Sequence, residues 1–322
     1  MAVTSGRKAT TAAPAPLGIV ADPRLATAGI IVASISMGLV PVFARTLTDD
    51  GIAPVAVSFY RNLIGAILLI GFIRLTGTKR NATIWGLFTG VAMGFGWTAY
   101  VEAITVVPVS TAAVVYMSYP LFALLVVWLV FGQPPVARAV VGGVIVLAAA
   151  AIALGPEFSG EHRNELLVLL AAPLAFGMAV AVLTERLGPL SPLERVASVG
   201  VGSSVGLLPL VMTLPSHQVL PGDGQGWLLV VGIGLVTGIG PQWLYVKCAS
   251  RVGPAKAAMS GAIELPTMFA VGALAFGESL TFAQGFAGAL VVGAILLVPS
   301  RPSPATAMAR SRRRLIPGRF TT

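Results

Sequence analysis

Charge is scarce in this chain. Only 10% of its 322 residues are Asp, Glu, Lys or Arg, against about 25% in soluble globular proteins, and they gather in short clusters between long apolar runs. A charged, water-facing surface over most of the length is thereby excluded. Cysteine is reduced to Cys248, which excludes an internal disulfide and a multi-cysteine metal site. The two histidines, His162 and His217, fall far apart in expected loops, so neither a histidine metal centre nor any cofactor is expected. Glycine-rich stretches such as Gly90 to Gly96 and Gly232 to Gly240 lack a following Lys-Ser/Thr. They read as close-packing helix faces rather than phosphate loops. The net charge of +9 would suggest nucleic acid in a soluble chain. Here no nucleic-acid partner is expected, because cytoplasmic loops of membrane proteins collect Lys and Arg.

What is present is apolar length. Hydrophobic residues make up 56% of the chain, and the mean hydropathy is +0.89. Ten apolar segments emerge near 25–44, 55–73, 82–101, 108–131, 136–154, 165–184, 195–214, 227–247, 254–276 and 281–299. Each has roughly the 20 residues that a helix needs to cross the hydrocarbon of a lipid bilayer. Barrel strands would alternate in polarity, and these runs do not. Residues 1–24 lack the apolar core of a cleavable signal peptide, so they are expected to be a disordered cytoplasmic tail. Residues 300–322, with Arg310, Arg312, Arg313, Arg314 and Arg319, are expected to be a second, basic one.

With both termini cytoplasmic, eighteen of the 21 Lys and Arg fall on the cytoplasmic side and two, Arg45 and Arg163, outside. Arg61 lies within the second segment. This bias sets the orientation of a multi-pass protein of the plasma membrane.

One stretch occurs twice. At an offset of 145, residues 100–133 and 245–278 agree at Tyr100/Tyr245, Val101/Val246, Val107/Val252, Ala112/Ala257, Ala113/Ala258, Val126/Val271, Leu129/Leu274, Phe131/Phe276 and Gly132/Gly277. Each copy is an apolar helix interrupted by a proline, Pro120 or Pro266. The halves 25–154 and 165–299 hold five segments each. Five is odd, so the second half is expected to sit upside down relative to the first. Loop charges agree: the turn holding Glu102 lacks Lys and Arg, whereas its counterpart carries Lys247, Arg251 and Lys256. The expected fold is an all-α membrane protein of ten helices, arranged as two inverted five-helix repeats around a central cavity.

The series Pro120…Gly132-Gln133…Gly143 and Pro266…Gly277-Glu278…Gly288 resembles the EamA-type branch of the drug/metabolite transporter superfamily over residues 25–299. Gln133 departs from the family's Gly-Glu. The resemblance implies transport, often export, of amino acids or related small metabolites, and no enzyme activity.

Glu264 is the foremost candidate for the substrate site. A carboxylate at that depth costs about 2.5–3.5 kcal/mol on insertion scales, so it should face the protein interior or a wet cavity, where it could bind a substrate ammonium, take up a proton, or only hold the bundle together, protonated or paired with backbone freed by Pro266. Ser260 lies at i−4 on its helix face. Glu264 aligns with Tyr119, and Tyr116 and Tyr119 could form an aromatic wall opposite it. Pro120 and Pro266 free backbone carbonyls and are candidate hinges or cavity-lining residues. Arg61 could snorkel to the interface, pair with Glu102 or Glu264, or hold a substrate carboxylate. Trp97, Tyr100, Gln242, Trp243 and Tyr245 could be interfacial belt residues, and Trp97 and Gln242 are the better cavity candidates. These residues suit a small-molecule transporter working by alternating access. An uncoupled facilitator or channel, and less readily a membrane enzyme, remain as alternatives. Substrate and oligomeric state are not legible.

Overall fold

The computed structural model describes residues 22–135, 137–154, 163–252, 257 and 260–297. Apart from residues 22–24, both expected tails lie outside the described residues, as does Lys256. Helices follow one another throughout: α1 Pro23–Gly38, α2 Val40–Asp49, α3 Pro54–Leu69, α4 Arg80–Ala103, α5 Val109–Tyr116, α6 Tyr119–Phe131 and α7 Ala137–Leu154 before the middle of the chain. After it come α8 Arg163–Leu169, α9 Ala171–Glu185, α10 Pro192–Met212, α11 Gly224–Gly232, a wide π-helical stretch Ile233–Ile239, α12 Gly240–Val252, α13 Glu264–Phe276 and α14 Phe282–Leu297. Among the described residues there is no strand.

Seven helical stretches are long and apolar enough to cross a membrane: Arg24–Asp49, Pro54–Phe72, Gly77–Ala103, Val109–Phe131, Asn164–Glu185, Pro192–Met212 and Gly224–Ala249. Shorter apolar helices, Val140–Ala153, Glu264–Phe276 and Phe282–Ala294, lie where the other three segments were expected.

Local chemistry explains the breaks. Pro120 cannot donate to the carbonyl one turn back. The Val109–Phe131 stretch accordingly parts at Met117 and Ser118, with Pro120 in the first turn of α6. α13 likewise begins two residues before Pro266. Both helices end on a glycine in the left-handed region, Gly132 at φ 68° and Gly277 at φ 65°, a conformation that a side chain would strain.

The surface is apolar: Leu129, Leu274 and Phe282 are 73%, 87% and 90% exposed. Polar groups such as Ser34, Thr89, Arg61 and Glu264 are buried. That inversion suits a bilayer as solvent.

The two halves of the chain are interleaved. α3 and α4 pack on α10, α4 and α6 on α9, α1 on α12, and α7 on α14, and each of these contacts joins one half to the other. The α4–α10 crossing is close because Gly90 and Gly202 face opposing backbone. An added Cβ would meet the Val199 carbonyl at Gly90 and the Leu87 carbonyl at Gly202. At one end of this crossing Lys79 Nζ donates to both carboxylate oxygens of Glu194 at 2.8 Å. Glu194 also closes a capping box with Ser191 at the start of α10.

Candidate functional site

Arg61 is the centre of the buried polar chemistry. It sits on the second apolar stretch, in α3, and is only 2% exposed. Snorkelling to the interface is therefore ruled out for this structure. Two features of other helices draw the guanidinium inward. Its Cζ lies over the Trp97 ring of α4, 3.8 Å from the centroid, a cation–π contact worth about 2 kcal/mol when desolvated. Its Nη2 donates to the Thr237 carbonyl at 2.9 Å.

That carbonyl is available for a covalent reason. Pro241 has no N–H, so the carbonyl four residues earlier lacks an α-helical donor. The chain answers with the π-helical stretch, where Gly240 N–H reaches back to the Leu235 carbonyl. The Val236 carbonyl is also taken from outside its own helix, by Ser36 Oγ at 2.5 Å. π-bulges of this kind recur at functional sites. Gly238 lets the two helices meet, since a Cβ there would stand 2.9 Å from the Arg61 carbonyl.

Two donors of Arg61, Nε and Nη1, are buried without a hydrogen-bond partner. The ion pairs among the described residues are Arg45–Glu278, Arg74–Glu194 and Lys79–Glu194. Arg61 is thus paired with neither Glu102 nor Glu264. Beside it is a cleft of about 10 Å³, lined among others by Asn62, Gly200, Gly238 and Gln242, space for roughly one water. A larger recess of about 270 Å³ lies away from this chemistry, between Leu47, Asp50, Ile52 and Asp223. Asp223 is already occupied there as the cap of α11, accepting from Gly226 N–H at 2.7 Å.

Around Trp97 runs a continuous ring cluster. Centroids are 5.7 Å apart for Trp97–Tyr100, 4.9 Å for Trp97–Phe176, 4.7 Å for Tyr116–Phe176 and 5.8 Å for Tyr116–Tyr119. Trp97 is 3% exposed and Tyr100 is fully buried, so these two are interior residues and not an interfacial belt. Tyr100 points its hydroxyl at Met268 of α13, 3.9 Å from the sulfur.

Glu264 opens α13 and is 8% exposed. Among the described residues its carboxylate makes no hydrogen bond and no ion pair. It stands within electrostatic reach of Arg61, Tyr100, Tyr116, Tyr119 and Tyr245. The structure thus gathers Glu264, Tyr116, Tyr119, Trp97, Arg61 and Gln242 in one region. Ser260 does not share a continuous helix face with Glu264, because turn residues Ala262 and Ile263 separate them. Pro120 is half-buried, and Pro266 lies exposed on the surface of α13. Phe176 and Thr237 touch these side chains and Pro241 frees the carbonyl that holds Arg61, and none of the three is among the candidates drawn from the sequence. A proline inside an apolar run, in Gly240-Pro241-Gln242, was the signal available for two of them.

The family model described as EamA-like transporter family matches the chain twice, over residues 24–155 and 163–299. The chain belongs to that family. This EamA-like protein is therefore a membrane transporter and not an enzyme. It is similar to an S-adenosylmethionine uptake transporter of Rickettsia prowazekii, 26% identical over 125 residues, which are 38% of this chain and 42% of the relative. The matched stretch thus spans under half of that relative's length. An uncharacterized transporter of Archaeoglobus fulgidus is 24% identical over 279 residues, 85% of this chain and 96% of the relative. A solved crystal structure of a protein aligns with TM-score 0.60 at 20% identity, covering 86% of this chain and 98% of that one. That likeness concerns the fold alone.

Proposed function

We propose that this EamA-like transporter is a secondary transporter that exports small zwitterionic metabolites, such as amino acids, across the plasma membrane by alternating access. Ten spans in two inverted repeats would hold the site near the middle of the bilayer, with both termini cytoplasmic. One observation carries the substrate class: a buried guanidinium with two unpartnered donors and a buried, unpaired carboxylate are held in one region without touching. A buried charge without a partner is costly. A zwitterion that set its carboxylate on Arg61 and its ammonium on Glu264 would relieve both. Tyr116, Tyr119 and Trp97 would line the apolar part of the substrate, and Gln242 would add a polar contact. S-adenosylmethionine, the cargo named for the Rickettsia relative, carries an α-amino-acid group that the same pair could hold. The interleaved halves argue against two sequence halves rocking as rigid bodies. The moving units would be helix groups drawn from both.

The test is counterflow in proteoliposomes with a panel of labelled amino acids, preloading either side to establish direction. The expected result is saturable exchange of a zwitterion that Glu264→Gln and Arg61→Ala each reduce at least tenfold. Full exchange in both variants sinks the reading.

A further inference from the structure

Helix α5 begins without a cap of its own. Its N-cap position is Pro108, which has no side-chain acceptor to offer, so the first N–H groups of the helix need a partner from elsewhere. That partner is Glu278, 169 residues away. Its Oε1 accepts from Val109 N–H at 2.9 Å and its Oε2 from Ser110 N–H at 3.4 Å. Arg45 Nη1 holds the same carboxylate at 3.0 Å, and the Arg45 guanidinium lies 4.7 Å from the Phe276 ring centroid. Gln284 Nε2 adds a buried bond to Thr111 Oγ1 at 2.9 Å.

The two helices tied in this way both carry the site. Tyr116 ends α5, roughly 10 Å along the axis from Val109, and Glu264 starts α13, roughly 20 Å from Glu278. A substrate passing between α5 and α13 at this end would have to part the carboxylate from the helix N-terminus.

We propose that Glu278 is the gate residue of this end of the transporter: it closes the passage by capping α5 from the turn that follows α13, and the cap breaks each time this end opens. An anion at a helix N-terminus is favoured by the helix dipole as well as by its hydrogen bonds, so the closure is strong yet reversible. At the far end of the Val109–Phe131 stretch, the equivalent position of the first copy holds neutral Gln133, whose Nε2 donates to Glu185 at 2.8 Å. The inference rests on alternating access and not on the identity of the substrate.

Thiol accessibility tests it without any substrate. In full-length protein with Cys248→Ala, Ser110→Cys places one reporter directly beneath the cap, at a position 2% exposed. A membrane-impermeant maleimide is applied to each face in turn, in intact cells and in inverted vesicles. Glu278→Gln is expected to raise labelling of the reporter about tenfold, the loss of a charge-assisted bond, and from one face only. Arg45→Gln, which leaves the cap in place, should raise it less. A control reporter, Ser203→Cys, buried in the α4–α10 crossing, should stay unlabelled in every background. Unchanged labelling at position 110 overturns the proposal, and so does a rise at position 203 in step with it, which would mean general loosening. Should Glu278→Gln fail to fold, Glu278→Asp, which keeps the charge but shortens its reach to the Val109 and Ser110 N–H groups, carries the same test. Because no substrate is present, a negative result here is separable from a failure of the zwitterion reading.

Discussion

Replacing Arg61 by Met separates a binding role from a structural one. In its present setting the guanidinium gains a charge-assisted bond to the Thr237 carbonyl, worth about 1.5–3 kcal/mol, and a cation–π contact with Trp97 of about 2 kcal/mol. Against these stand Nε and Nη1, buried without partners at about 1–3 kcal/mol each, and the desolvation of the charge itself, several kcal/mol more. The unfavourable contributions equal or exceed the favourable ones, so Arg61 adds nothing to the stability of the fold. Met fills most of the same volume and keeps a sulfur–aromatic contact with Trp97, at about 0.3–1.5 kcal/mol. The expected loss is under about 1 kcal/mol, a fall in Tm below about 4 °C, while exchange of the zwitterion falls at least a hundredfold. The assay pairs thermal unfolding in detergent, followed by fluorescence-detected size exclusion, with counterflow normalised to folded protein. A structural strut would behave oppositely. Breaking a buried charged contact of that kind costs about 3–5 kcal/mol, so a Tm fall beyond roughly 6 °C with counterflow per folded molecule intact refutes the reasoning.

Two further outcomes follow from the same geometry. If Glu264 carries a proton in exchange for substrate, flux should follow an imposed pH gradient in the parent, and Glu264→Gln should lose that dependence; gradient-independent flux in the parent would favour an uncoupled facilitator. At the α4–α10 crossing, Gly202→Val drives a branched side chain into the Leu87 carbonyl and should cost about 1–3 kcal/mol, read as a loss of monodisperse protein. Gly188→Ala, with open space around it, should leave the yield unchanged.

The membrane class, the apolar segments and both proline breaks were legible because they depend on local composition and on a missing N–H. The burial of Arg61 was not. Its place inside an apolar segment is equally compatible with a long side chain that reaches the interface. The outcome was decided by Trp97 and Thr237, on two other helices. Nothing local to α3 records them. The repeat marks prolines that occur in both copies, whereas Pro241 aligns with Gly96 and has no counterpart. The carbonyl that holds Arg61 therefore arises where the two copies differ. Phe176 was missed for a related reason, as a lone aromatic in an apolar run looks like ordinary core until Trp97 and Tyr116 are seen on either side of it.

The offset of 145 still says something about place. It pairs Trp97 with Gln242 and Tyr119 with Glu264. In the structure the Trp97 ring lies under the Arg61 guanidinium carbon while Gln242 lines the cleft beside it, and Tyr119 lies within electrostatic reach of Glu264. Under a two-fold relation, counterpart residues are equally far from the axis, so they can be neighbours only close to it. Under the proposed inverted repeat, counterpart pairs that converge on one region would lie close to the axis, and a single cavity there would be bounded by the same positions from both copies. The copies supply different chemistry there: aromatic rings from the first, an amide and a carboxylate from the second. Arg61 stands opposite Gly206 at the same offset and is likewise unmatched. A site built on equal positions but unequal groups can hold one molecule in one orientation, and recognition of a zwitterion with distinct charged ends requires that.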